Sequence, residues 1–100
     1  MEVQFRSRDL ERCFLESKQA IKAFGPVVGK KYIQRIQIIQ AIPNLPLLMA
    51  LPSLNCHPLK GDRAGEWAIN LTGFVRLIFT FVDEQLTVVQ IEEVSKHYDD

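Results

Sequence analysis

The sequence predicts a single α+β domain, with an N-terminal strand and a helical hairpin packed on one face of a small antiparallel sheet. Three observations predict it. A short alternating segment opens the chain, apolar residues then recur at helical spacing as far as residue 42, and strict alternation returns from Trp67 onward. With 100 residues, 47% of them hydrophobic and 24% charged, the chain accommodates one packed domain, 1–100, and not two.

Each element has its own signal. Val3 and Phe5 alternate with Glu2, Gln4 and Arg6, which predicts a strand near 2–6, and Ser7 or Asp9 offers the next helix its N-cap. Leu10, Phe14 and Ile21 fall on one side of two short helices near 9–15 and 18–24, with Ser17 as a second cap and Gly25 as a stop. Pro26 suits the first turn of a longer helix, in which Val28, Tyr32, Ile36 and Ile39 make the buried stripe. Lys30, Lys31, Gln34 and Gln37 make its polar face, and the helix should end near Ile42. Asn44, Pro46 and Pro52 leave room for one helical turn near 45–50. Trp67, Ile69 and Leu71 then read as a strand, Thr72-Gly73 as a turn, and Val75, Leu77, Phe79 and Phe81 as a second strand. A third follows near 86–94. Because the apolar set of strand 75–81 must face the helices, Arg76 should project from the opposite face, which a small antiparallel sheet can leave wet.

Composition excludes several function classes. No apolar run reaches the ~18 residues of a membrane span, and the first twelve residues already carry six charges, so neither a membrane segment nor a signal peptide fits and a cytoplasmic location is expected. Cys13 and Cys56 are too few for a disulfide framework and are expected to be reduced thiols. Net charge is zero, yet residues 1–50 hold eight Lys/Arg against four Asp/Glu and residues 51–100 hold four against eight. A basic surface built from the first half could meet a polyanion.

The densest polar segment is Cys56-His57-Pro58-Leu59-Lys60-Gly61-Asp62-Arg63, and the second histidine lies in the tail Ser95-Lys96-His97-Tyr98. Cleaving RNA with side chains alone requires a base for the 2′-hydroxyl proton, cations for the charge on the phosphorane, and an acid for the leaving 5′ oxygen. His57, His97, Lys60, Arg63 and Arg76 are the right chemical types. Each also has a plainer reading: a loop histidine before proline is usually solvated, Lys60 and Arg63 have Asp62 and Glu66 as local ion-pair partners, and Trp67 belongs in the core. No C-x₂-C or H-x₃-H spacing supports a metal site, Gly61-Asp62-Arg63-Ala64-Gly65 lacks the length of a phosphate-binding P-loop, and no cofactor is implied.

His57-Pro58-Leu59-Lys60-Gly61-Asp62-Arg63, followed by Gly65, Trp67, Ile69 and a strand arginine at Arg76, resembles the plasmid-maintenance killer proteins, the HigB-like toxins of the RelE/ParE superfamily. The resemblance spans nearly the whole chain and implies a RelE-like fold. It implies a type II toxin that is a ribosome-dependent endoribonuclease of mRNA, neutralised by a co-encoded helix-turn-helix (HigA-like) antitoxin through which alone it would meet operator DNA. His57, Lys60 and Arg76 match the family's motif histidine, lysine and strand arginine. The family's Asp-Tyr-His ending is replaced here by Ser95-Lys96-His97-Tyr98, which supplies histidine and tyrosine in reversed order. The implied roles are acid–base work for His57 and His97, phosphate holding for Lys60 and Arg76, substrate contacts for Arg63, Lys96 and Tyr98, and ribosomal RNA contacts for Lys30 and Lys31. Two other readings follow from the same superfamily: a non-catalytic ParE-like toxin acting on DNA gyrase, and an inactive toxin fold that only binds its antitoxin.

Overall fold

A computed structural model of the protein describes residues 1–96; His97 and Tyr98 lie outside the described residues. The first strand, β1 (Glu2–Phe5), leads into α1 (Arg8–Leu15), where the Ser7 hydroxyl accepts the Leu10 N–H at 3.2 Å and Asp9 and Glu11 sit in the positive first turn. α2 (Ser17–Phe24) follows after a single residue. Glu16, not Ser17, is the residue that leaves the helix, and its N–H bonds the Arg12 carbonyl at 2.8 Å. Gly25, at φ +88°, makes the corner that an L side chain avoids, and Pro26 begins α3 (Pro26–Ala41).

The buried stripe of α3 is Gly29, Tyr32, Ile36 and Ile39, close to the stripe the sequence predicts. Tyr32 is fully buried, with its hydroxyl donating to the Leu10 carbonyl at 2.6 Å, so α3 is tied to α1. α4 (Leu45–Met49) is capped by Asn44, whose side-chain oxygen accepts the Leu47 N–H, and it buries Leu45 and Leu48.

The sheet has five strands in the order β1-β5-β4-β3-β2, where β2 is His57–Pro58, β3 Trp67–Asn70, β4 Val75–Phe81 and β5 Val88–Lys96. β3, β4 and β5 are antiparallel as expected, β2 adds an unexpected antiparallel edge, and β1 is part of the sheet and runs parallel to β5, Glu2 opposite Val88 and Phe5 opposite Ile91. The helices cover one face. Leu77, Phe79, Val89 and Ile91 meet Tyr32, Ile36 and Ile39 there, all of them fully buried and each worth about 1.5–3 kcal/mol of transfer free energy for a side chain of that size. Trp67 packs against this core beside Phe81, ring centres 6.1 Å apart and nearly perpendicular.

The other face is less open than alternation suggests. Ala68 and Ile78 point away from the helices and are nonetheless fully buried, and Arg76 is only 8% exposed. Over the Ile78 row, Arg63 from the segment between β2 and β3 reaches across to Glu93 on β5.

Candidate active site

The sheet register places the predicted residues. His57 stands opposite Ala68, Ala68 opposite Ile78, and Ile78 opposite Glu93, so these four side chains form one row across the face away from the helices. Asn70, Arg76 and Ser95 form the next row on the same face. His57 and Arg76 are therefore two strands and one two-residue step apart, about 10 Å across the sheet and about 7 Å along it.

His57 is oriented by its own segment. Asn55 takes the left-handed backbone at φ +48°, a conformation asparagine tolerates, and its carbonyl lies 2.7 Å from His57 Nδ1. A carbonyl only accepts, so Nδ1 carries the proton and Nε2 of the neutral ring keeps its lone pair. The segment is anchored by buried Leu54 and by the Asn70 N–H bonding the Leu54 carbonyl at 2.7 Å. Neighbouring Cys56 is no nucleophile, because burial pushes its thiol up to about 11, and burial also raises Cys13.

Lys60 is exposed at the start of a single 3₁₀ turn, Gly61–Arg63, with Gly61 at φ +66° and Gly65 at φ +97° bending the chain on either side. Arg63 is tied to two carboxylates. Its Nε and Nη2 donate to both oxygens of Glu66 at 3.1 and 2.8 Å, and Nη2 also reaches Glu93 at 3.2 Å. The hydrogen bonds from Arg63 hold Glu66 below the usual carboxylate range.

Sequence reasoning anticipated Glu66 as a partner of Arg63 but missed Glu93. A bulge in β5 explains why: Ile78 opposes Glu93 while Phe79 opposes Ile91, so Glu92 is the extra residue. Glu92 accepts from Thr80 Oγ1 and Gln90 Nε2, both at 2.8 Å, and lies 3.8 Å from Arg6. Two consecutive glutamates thus face the same side. Arg35 was also missed; its Nε donates to the Asn70 carbonyl at 3.1 Å, bracing the end of β3 from α3.

Of the other predicted residues, Lys96, Lys30 and Lys31 do not gather with His57 and Arg76. Lys96 opposes Val75 and so belongs to the helix side of β5, because the strand runs two residues beyond its predicted end and keeps alternating. Lys30 is exposed and Lys31 half-buried on α3, across the sheet from His57. Among the described residues no three His, Cys, Asp or Glu side chains are placed to hold a metal ion.

An N-terminal strand, helices packed on one face and a five-stranded sheet make a fold similar to that of solved YoeB/ParE- and YafQ-type toxins. A YoeB/ParE toxin from Agrobacterium tumefaciens superposes with a TM-score of 0.64 at 16% identity, covering 98% of this chain and 100% of that one. YafQ from E. coli strain BL21(DE3) gives 0.60 at 16% identity, over 95% of this chain and 91% of that one. The YoeB–YefM complex from Staphylococcus aureus gives 0.58 at 18% identity, over 98% of each chain. No family model matches the chain, and no curated protein sequence does. At these identities the likeness is one of fold.

Proposed function

We propose that the chain is the toxin of a type II toxin–antitoxin pair, HigB-like, and cuts mRNA on the ribosome with its own side chains and no metal ion. The observation that carries this reading is the Asn55 carbonyl 2.7 Å from His57 Nδ1, which leaves Nε2 as the basic nitrogen of the neutral ring, with His57 on the same sheet face as buried Arg76. His57 Nε2 takes the 2′-hydroxyl proton, the 2′ oxygen attacks phosphorus, and the bond from phosphorus to the 5′ oxygen breaks. The products are a 2′,3′-cyclic phosphate and a 5′-hydroxyl. Lys60 and Arg76 hold the non-bridging oxygens as charge grows on them, and a cation withdrawn from water acts more strongly there than an exposed one. His97 is assigned the proton for the leaving oxygen, and Tyr98 a contact with the substrate. Lys30 and Lys31 provide a sequence-independent footing on ribosomal RNA, away from the cut.

The partner is a co-encoded helix-turn-helix antitoxin, and operator DNA is met only through it. Support comes from toxins of the same fold whose structures are complexes, YoeB with YefM and the E. coli DinJ–YafQ toxin–antitoxin pair. The site of action is the cytoplasm; no helix among the described residues is long and apolar enough to cross a membrane. The test is cleavage of a defined mRNA with and without ribosomes, followed by end-group analysis. Cuts that need ribosomes and end in a 2′,3′-cyclic phosphate support the reading. Growth arrest with intact mRNA and inhibited gyrase would replace it with the ParE-like activity.

A further inference from the structure

Nothing in the phosphoryl chemistry explains why Arg63 is held by two carboxylates. Glu66 lies just ahead of β3 and Glu93 lies on β5, with β4 between those strands, so the guanidinium that touches both stretches over β4. Directly in that row sits Ile78, fully buried although it faces away from the helices. The loop is also closed at its neck, where the Leu59 N–H bonds the Glu66 carbonyl at 2.8 Å, and the Arg63 N–H reaches back to the Lys60 carbonyl at 3.3 Å. Lys60 therefore sits inside a loop pinned at its neck by backbone and at its tip by Arg63.

We infer that Arg63 is a positioning residue and Glu93 its anchor, together holding the loop over β4 so that Lys60 meets the phosphate bound beside Arg76. This deepens the endoribonuclease reading and rests on it. The β5 bulge is what makes the anchor possible, since it presents Glu93 on this face alongside Glu92. A direct RNA contact by Arg63 makes the opposite prediction for Glu93. If the guanidinium served the substrate, removing Glu93 would release it and take a negative charge off the face.

The experiment compares Arg63→Ala, Glu93→Ala and the double variant in the full chain, measuring ribosome-dependent cleavage and amide exchange at Leu59 and Glu66. Positioning predicts that each single variant lowers kcat by about ten- to a hundredfold with KM little changed, the usual result of a displaced catalytic group. The double variant should be no slower than the worse single one. Arg63→Lys, which keeps the charge but loses the two-pronged geometry, should recover only part of the rate. Exchange at Leu59 and Glu66 should speed up in both single variants. A Glu93→Ala protein that cuts as fast as the parent or faster, while Arg63→Ala is slow, overturns the inference in favour of direct contact. Should the parent not cut RNA at all, the endoribonuclease reading falls; unchanged amide exchange in both variants removes the clamp itself.

Discussion

Replacing Gly29 with alanine should destabilise the protein, although alanine is the better helix former. A Cβ at position 29 would stand 2.8 Å from the Ala20 carbonyl carbon, 2.9 Å from its oxygen and 2.9 Å from the Ile21 nitrogen. All three atoms are main chain of α2, so no side chain can rotate away, and the helices must part by roughly half an ångström to restore ordinary contact. Such overpacking costs about 1–3 kcal/mol, and the rigidity of both partners argues for the upper half of that range. Against it stands the gain of about 1 kcal/mol from removing a mid-helix glycine. The net loss is about 1–2 kcal/mol, or roughly 4–16 °C in Tm for a domain of this size. Urea unfolding followed through Trp67 fluorescence measures it. Gly73→Ala is the control, since a Cβ there meets nothing within 4 Å. Gly29→Ala as stable as the parent would show that the helix crossing costs no more than the propensity gain and would refute the overpacking argument.

Three further outcomes follow from the same structure. His57→Ala should slow cleavage by about 10²–10⁴ and Lys60→Ala or Arg76→Ala by about 10²–10³, with ribosome binding largely kept in each, as single-turnover and sedimentation assays can separate. Tyr32→Phe leaves the Leu10 carbonyl without the hydroxyl that now donates at 2.6 Å, and denaturant titration should register a loss of about 1–2 kcal/mol. Acid should loosen the loop at residues 59–66. Glu66 is held below its ordinary value by hydrogen bonds from Arg63, so its contribution is present above the ordinary carboxylate range and disappears as pH falls through the lowered value. Amide exchange at Leu59 between pH 6 and ~3 would detect this; a loop equally protected across that range would contradict it.

Helix boundaries were legible because their signals are local. Ser7 caps α1 through its own hydroxyl, and Gly25-Pro26 separates α2 from α3 by backbone chemistry that needs no distant partner. Strand β2 was not legible, since two residues, one of them proline, carry no period; only pairing with Ala68 and Trp67 makes them a strand. Alternation correctly turned Arg76 away from the helices but says nothing about what closes over that side, so its burial went unforeseen. Glu93 shows the same limit more sharply. Strict period two sends Glu92 and Glu93 to opposite faces, and a single extra residue in the ladder puts both on one. At the candidate site, residue types at 57, 60 and 76 were readable from the motif; the Asn55 carbonyl that orients His57 is local but depends on a left-handed backbone, and the Glu93 that holds the Lys60 loop through Arg63 comes from a distant strand.

The parallel pairing of the first strand with the last bears on how the protein comes into being. Gln4 lies opposite Gln90, and their side chains are bonded at 2.7 Å across 86 positions of sequence. Synthesis delivers residues from one end, so β1 must wait, its edge unsatisfied, until β5 has emerged and can slide between it and β4. A closure of such long range is slow by the standards of small domains. Nascent fragments that stop short of β5 have the helices and the motif loop but no completed sheet beneath them. In a protein proposed to attack translating ribosomes, the sheet under the motif loop is therefore closed only after β5 has been made, and a nascent chain that stops short of it carries the loop without its support.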